Sequence, residues 1–192
     1  MEKLDIHVVE LASMYFCSMI TIVSATHRHG SATRRVANQM LLLLQEHNLD
    51  AQIWDFQELP HDFLFNEMFG KRSDAMEKMI QTYVHEVQHL IWVVPEYNGS
   101  FSGVAKLVLD AVPPKIWMDK WCYLVGVASG AAGNLRGQEH LTGIMHYLKM
   151  HVHYFKPKLS SIETSFDDNG NWLPGRNSDQ LSQLALVLKS SV

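Results

Sequence analysis

Trp92-Val93-Val94-Pro95-Glu96-Tyr97-Asn98-Gly99-Ser100 is the stretch on which the reading of this chain turns. An apolar run, Leu90 to Val94, stops at Pro95 and gives way to polar turn residues. From Val104 the period changes. Val104, Leu107, Val108 and Ala111 recur at i, i+3, i+4 and i+7, the spacing of a helix with one apolar face. The pattern predicts a buried strand, a loop at its carboxyl end, then a helix. In open α/β sheets that edge is where ligands bind. Pro95 fixes one backbone angle and Gly99 admits another, so the loop between them can hold a set shape. On spacing alone, an ordinary strand-to-helix connection fits as well.

Outward from this stretch the same alternation repeats. Strands are expected at Met19–Val23, Ala51–Phe56, Leu90–Val94, Trp121–Ala128 and Val152–Phe155. Helices are expected after Ser31, over Asp74–Gln88, from Val104, around Leu141–Leu148 and over Gln180–Lys189. Five alternations of strand and helix indicate an α/β fold, a doubly wound five-stranded parallel sheet with helices on both faces. Three loops, 24–33, 95–100 and 129–134, then fall at strand carboxyl ends and meet at one edge. Gln57–Ser73 is a long loop carrying Phe63, Phe65 and Phe69, a composition that suits a lid or an interface.

Length and composition narrow the class. A chain of 192 residues suggests one domain, and 47% hydrophobic residues supply a core. We read 19–192 as that domain and 1–18 as an N-terminal extension of unassigned role. A net charge of −4 argues against a nucleic-acid binder. No stretch approaches the roughly 20 apolar residues that span a bilayer, and no signal-peptide pattern opens the chain, so the expectation is a soluble, cytoplasmic protein. Cys17 and Cys122, far apart and unpaired in spacing, read as reduced thiols.

The first loop has the makings of an anion site. Helix-start amides at Ser31, Ala32 and Thr33 and the helix dipole favour negative charge. Thr26, Ser31 and Thr33 add hydroxyls, and Arg28 adds a fork suited to phosphate. A solvated polar loop with an N-cap is an equal reading of the same residues. The loop is neither a P-loop nor a dinucleotide fingerprint. Loop 95–100 pairs an aromatic face with backbone and amide groups, and 129–134 is small and open. Phosphate at one end and a planar ring at the other is the outline of a mononucleotide or a flavin phosphate.

Pro95-Glu96-Tyr97-Asn98-Gly99-Ser100-Phe101-Ser102-Gly103-Val104-Ala105-Lys106, with Asp110 after it, resembles the signature of the NAD(P)H-dependent FMN reductases, flavodoxin-like proteins that include quinone, azo-dye and chromate reductases. Thr26 to Thr33 is similar to that family's FMN phosphate loop, and Ser129-Gly130-Ala131-Ala132-Gly133 with Glu139-His140-Leu141 to its third loop and helix. The resemblance covers about residues 19–155 and implies a flavodoxin-like fold. It implies that Thr26, Arg28, Ser31, Ala32 and Thr33 hold the FMN phosphate. Pro95, Glu96, Tyr97, Asn98 and Gly99 would line the isoalloxazine edge, and Ser129, Gly130 and Gly133 its other side. Ala25 replaces a usual Gly, Leu107 and Ala111 replace an Asn and an aromatic, and Ala131-Ala132 replaces a basic residue and a Gly.

The implied activity is hydride transfer from NADPH or NADH through FMN to a small-molecule acceptor, a quinone, azo, nitro or flavin compound, with no side chain assigned as acid or base. A flavodoxin-like electron carrier is the alternative, and an interaction protein with an empty, degenerate site is a third. The aromatics of 57–73, with Trp117, Met118 and Trp121, predict a homodimer or homotetramer, unless they fold back onto their own sheet. His85-Glu86-Val87-Gln88-His89 matches the zinc-protease pattern, but His89 falls at a helix end beside a strand, so no metal is expected. His146, His151 and His153 read as surface residues.

Overall fold

Alternate residues of one strand show why the sheet is buried on both faces. In the computed structural model, which describes residues 19–69 and 72–192, β3 (His89–Pro95) is buried throughout. Its Leu90, Trp92 and Val94 enter one hydrophobic cluster, and Ile91 and Val93 enter the other. β1 (Ile20–Ser24), β2 (Ala51–Asp55) and β4 (Trp121–Val127) run parallel to β3, and β5 (His151–Val152) completes the order β2-β1-β3-β4-β5. This is the expected doubly wound, flavodoxin-like sheet.

Helices cover both faces. α1 (Ala32–Glu46) and the C-terminal helix Arg176–Lys189 pack Val36, Met40, Leu44, Leu181, Leu184 and Leu188 against Ile20, Ile22, Ile91 and Val93. The opposite cluster is built on Trp54, Trp92 and Leu124. Onto it pack Met76 and Ile80 of Asp74–Ile80, Ala105 and Val108 of Gly103–Ala111, and Leu141 and Met145 of Leu135–Tyr147. Full burial of each large side chain stabilises by roughly 1.5–3 kcal/mol. In chain order, α2 is the single turn Phe63–Asn66, α3 is Asp74–Ile80, α4 Gly103–Ala111, α5 the single turn Pro114–Trp117, α6 Leu135–Tyr147 and α7 Arg176–Lys189.

Several boundaries differ from the sequence reading. The helix expected over Asp74–Gln88 is regular only to Ile80 and widens into a π turn, Gln81–His85. There the side chain of Gln52 donates to Thr82 O at 2.9 Å, and Tyr83 stacks on Trp54 at 5.6 Å. A side chain that takes a helical carbonyl is one cause of such bulges. The fifth strand is not Val152–Phe155. It is split into His151–Val152 and β6 (Lys158–Leu159), both paired with β4. Pro157, which has no N–H to offer, lies in the break, and its carbonyl accepts from Gly126 N at 2.9 Å and from Gln138 Nε2 at 2.7 Å.

Pro113-Pro114 does more than interrupt: it seeds α5, with proline in the first turn. Loop 57–73 carries a 3-10 turn at its entrance, Phe56–Glu58, as well as α2. Phe63 and Trp117 are buried within the chain, whereas Phe65 and Phe69 stand 88% and 89% exposed. The protease-like motif is divided between the π turn, which holds His85, and β3: the strand begins one residue earlier than expected, and His89 is its first residue rather than a helix end. The extension at 1–18, with Cys17, lies outside the described residues. Among the described residues no helix is long and apolar enough to cross a membrane.

Candidate functional site

The three loops meet. A cleft of about 320 Å³ lies at the carboxyl ends of β1, β3 and β4, and all three loops line it. From the first come Arg28, Gly30, Ser31, Ala32 and Thr33; from the second Pro95, Glu96 and Tyr97; from the third Ser129, beside Val127 and Ala128 of the strand end. Parallel strands deliver their following loops to the same edge, which is why residues about 100 positions apart converge.

The first loop ends at α1, 15 residues long and capped by Ser31, whose Oγ accepts from Arg34 N at 3.2 Å. The first turn of α1 contains no acidic residue. The amides of Ala32 and Thr33 have no acceptor within the helix, so an anion at this start meets free N–H groups and an uncompensated dipole. Thr33 is buried yet lines the cleft, and Arg28 is exposed beside it.

Thr26 is placed differently from its neighbours. It is fully buried and does not line the cleft; its Oγ1 hydrogen-bonds Tyr97 Oη at 2.7 Å and accepts from Arg28 N at 3.2 Å. Its hydroxyl ties the first loop to the second. Ser102, the cap of α4, adds a second tie by donating to Ala25 O at 2.5 Å.

In the second loop, Tyr97 and Ser100 exchange backbone bonds of 2.8 and 3.1 Å around a turn with Asn98 at φ 52° and Gly99 at φ 80°. Gly99 takes the left-handed backbone that glycine accepts freely. Asn98 and Gly99 sit beyond the cleft wall. Arg136 of α6 covers Gly99, leaving only 3.4 Å for an added Cβ, and its Nη2 lies 3.8 Å from Glu96 Oε1. Ser100 Oγ and His140 Nδ1 are 2.8 Å apart, so α6 holds this loop from outside at two points.

Gly130 and Gly133 also lie outside the lining. Gly130 O accepts from Ser161 N at 3.3 Å, while Gly133, at φ 56°, packs so tightly that a Cβ would sit 2.7 Å from the Lys158 carbonyl carbon. Asn134, fully buried at φ 62°, donates from Nδ2 to Val94 O at 3.0 Å and so pins the third loop to the base of the second.

The sequence reading missed four contributors. Arg35 lines the cleft, with its guanidinium 3.4 Å over the Phe166 ring and donating to Gly170 O at 3.4 Å. Its position four residues after the Ser31 cap was the available signal. Ile162 and Glu163 complete the wall, and Glu163 Oε1 accepts from Ser129 Oγ at 2.6 Å. That bond lowers the Glu163 pKa and keeps it a carboxylate. No motif marks Ile162, Glu163 or Asn134 in the sequence. Arg34 turns away toward Asp55, with Nε 3.5 Å from Oδ2. Among the described residues no cluster of His, Cys, Asp or Glu could hold a metal ion.

An α/β sheet with a phosphate-type helix start and a structured loop after its central strand defines a class of nucleotide- and flavin-binding proteins. Comparison with known proteins narrows it. The family described as NADPH-dependent FMN reductase matches residues 18–154, and the chain belongs to that family. It is 32% identical over 148 residues to an NADPH:quinone oxidoreductase of Arabidopsis thaliana, covering 74% of each chain. It is 28% identical over 158 residues to a 2-hydroxy-1,4-benzoquinone reductase of Burkholderia sp, covering 79% of this chain and 84% of that protein. Its fold matches a flavoenzyme NAD(P)H:(acceptor) oxidoreductase from Paracoccus denitrificans with TM-score 0.74 at 13% identity, over 90% of this chain and 96% of the other. The chain is an FMN-dependent oxidoreductase.

Proposed function

We propose that this cleft holds FMN and that the protein passes hydride from NADPH or NADH to a small oxidised acceptor of the quinone or azo class, with nitro compounds and free flavin as further candidates. The observation that carries the site assignment is the acid-free start of α1, flanked by Arg28, opening into the same cleft as the Pro95–Gly99 loop. The donor set suits the cofactor. Ser31, Thr33 and the amides of Ala32 and Thr33 would hold a phosphate, with Arg28 as the charged fork. Pro95, Glu96 and Tyr97 would bound the ring edge, with Asn98 and Gly99 shaping that loop; Ser129 would bound the far side, with Gly130 shaping its loop and Gly133 packing beneath it. Buried Thr26 serves by positioning Tyr97.

When bound, FMN supplies the hydride-carrying chemistry, and the protein supplies orientation and electrostatics. The names of the two curated relatives support a quinone acceptor. The test is colour and its loss: purified protein should be yellow, and NADPH should bleach it anaerobically within seconds, with recovery on adding a quinone. Colourless protein that fails to take up added FMN would overturn the site. Bound FMN that NADPH leaves unbleached would favour an electron carrier.

We further propose a homodimer or homotetramer. A groove of about 620 Å³ between α4 and α6 is lined by Phe69, Leu109, Ile144 and Tyr147, and Phe69 and Tyr147 are almost fully exposed. Apolar surface of this kind is characteristic of interfaces. The partners in turnover are small molecules, with neither nucleic acid nor membrane required. The free, buried thiol of Cys122 suits a reducing, cytoplasmic setting.

A further inference from the structure

The family match ends at residue 154, yet chain beyond it finishes the cleft. Ile162 N donates to Ala128 O at 3.1 Å and Ser161 N to Gly130 O at 3.3 Å, which lays the 3-10 turn Ile162–Ser165 against the third loop. Glu163 thereby enters the cleft beside Ser129, at the end of β4. The phosphate-type loop follows β1, and β3 lies between β1 and β4, so the two ends of the cleft are separated by about 10 Å, two strand spacings.

A carboxylate carries about four acceptor positions and no donor. Ser129 occupies one, and among the described residues no ion pair neutralises the rest. Such a group attracts hydroxyl donors and repels phosphate. In FMN, the neutral hydroxyls belong to the ribityl chain, which joins the phosphate to the ring. We propose that Glu163, oriented by Ser129, accepts hydrogen bonds from the ribityl hydroxyls and so is a flavin-binding residue outside the matched family segment. The proposal rests on the FMN reading of the cleft and adds to it a group that selects for the sugar alcohol.

Three flavins separate the two claims. Flavin-free protein is titrated at fixed salt and neutral pH, by fluorescence quenching, with FMN, with riboflavin (ribityl chain, no phosphate) and with lumiflavin (ring alone). Glu163→Ala should weaken FMN and riboflavin together by about tenfold, the low end for a bond to a charged group, because Glu163 is exposed. Lumiflavin should bind as before. Glu163→Gln, which keeps an uncharged acceptor, should fall between the parent and the alanine variant. Arg28→Ala should weaken FMN alone. The proposal is overturned if Glu163→Ala leaves riboflavin unchanged, weakens lumiflavin in step, or tightens FMN. If Glu163→Ala has no effect while Arg28→Ala weakens FMN, the Glu163 role alone is wrong. If neither variant alters FMN binding, the site assignment fails with it.

Discussion

Replacing Asn134 by Ala should loosen the edge of the sheet on which the cleft is built. Asn134 is fully buried, and its Nδ2 gives Val94 O, at the end of β3, a hydrogen bond of 3.0 Å. Without the amide, a buried carbonyl loses its side-chain donor, at a cost of about 1–3 kcal/mol. Asn134 also holds φ at 62°, a backbone region that Asn visits more readily than Ala, which adds about 1 kcal/mol. Some of this returns, because Asn134 Oδ1 is buried without a partner and would be removed as well. A net loss of about 2–3 kcal/mol corresponds to a melting temperature lower by roughly 4–12 °C for a chain of this size. Asn134→Gly, which accepts the backbone angle freely but lacks the amide, should recover only the backbone part. Differential scanning calorimetry on flavin-free protein measures both. A shift below about 2 °C for Asn134→Ala would falsify the argument that this bond anchors the third loop.

Tyr97→Phe removes the hydroxyl that meets Thr26 and should cost about 1 kcal/mol of stability, leaving Arg28 N as the partner of Thr26; urea denaturation checks it, and no change would mean that the two loops are not coupled there. Burial lowers the His89 pKa, so the folded state keeps this ring neutral while the unfolded chain takes up a proton near pH 6.5. Its contribution is therefore complete above about 6.5 and is lost as pH falls from there through the lower folded value; His89→Asn should flatten the dependence of unfolding free energy on pH in that window. Phe65→Ser with Phe69→Ser should shift sedimentation toward the monomer at micromolar concentration while leaving the melting of the monomer nearly unchanged, since both rings are exposed.

By itself, the sequence determined the alternation of strands and helices, the sheet they form, and the meeting of three loops at one edge. These follow from local periodicity, from Ser31 as a cap, and from Pro95 and Gly99, whose backbone constraints act within a few residues. Tertiary structure alone decided what holds those loops. Tyr97 reaches Thr26, Asn134 reaches Val94, Arg136 lies over Gly99, and Arg35 is clamped by Phe166, all contacts that no spacing encodes. The split fifth strand escaped for the same reason, because pairing along β4 and the position of Pro157 decide where the ladder breaks. Phe63 and Phe65 make the point most simply: two residues apart in the single turn α2, one is buried and the other bare. Side-chain burial depends on what the fold places above each residue, and a single helical turn is too short to announce itself by a period.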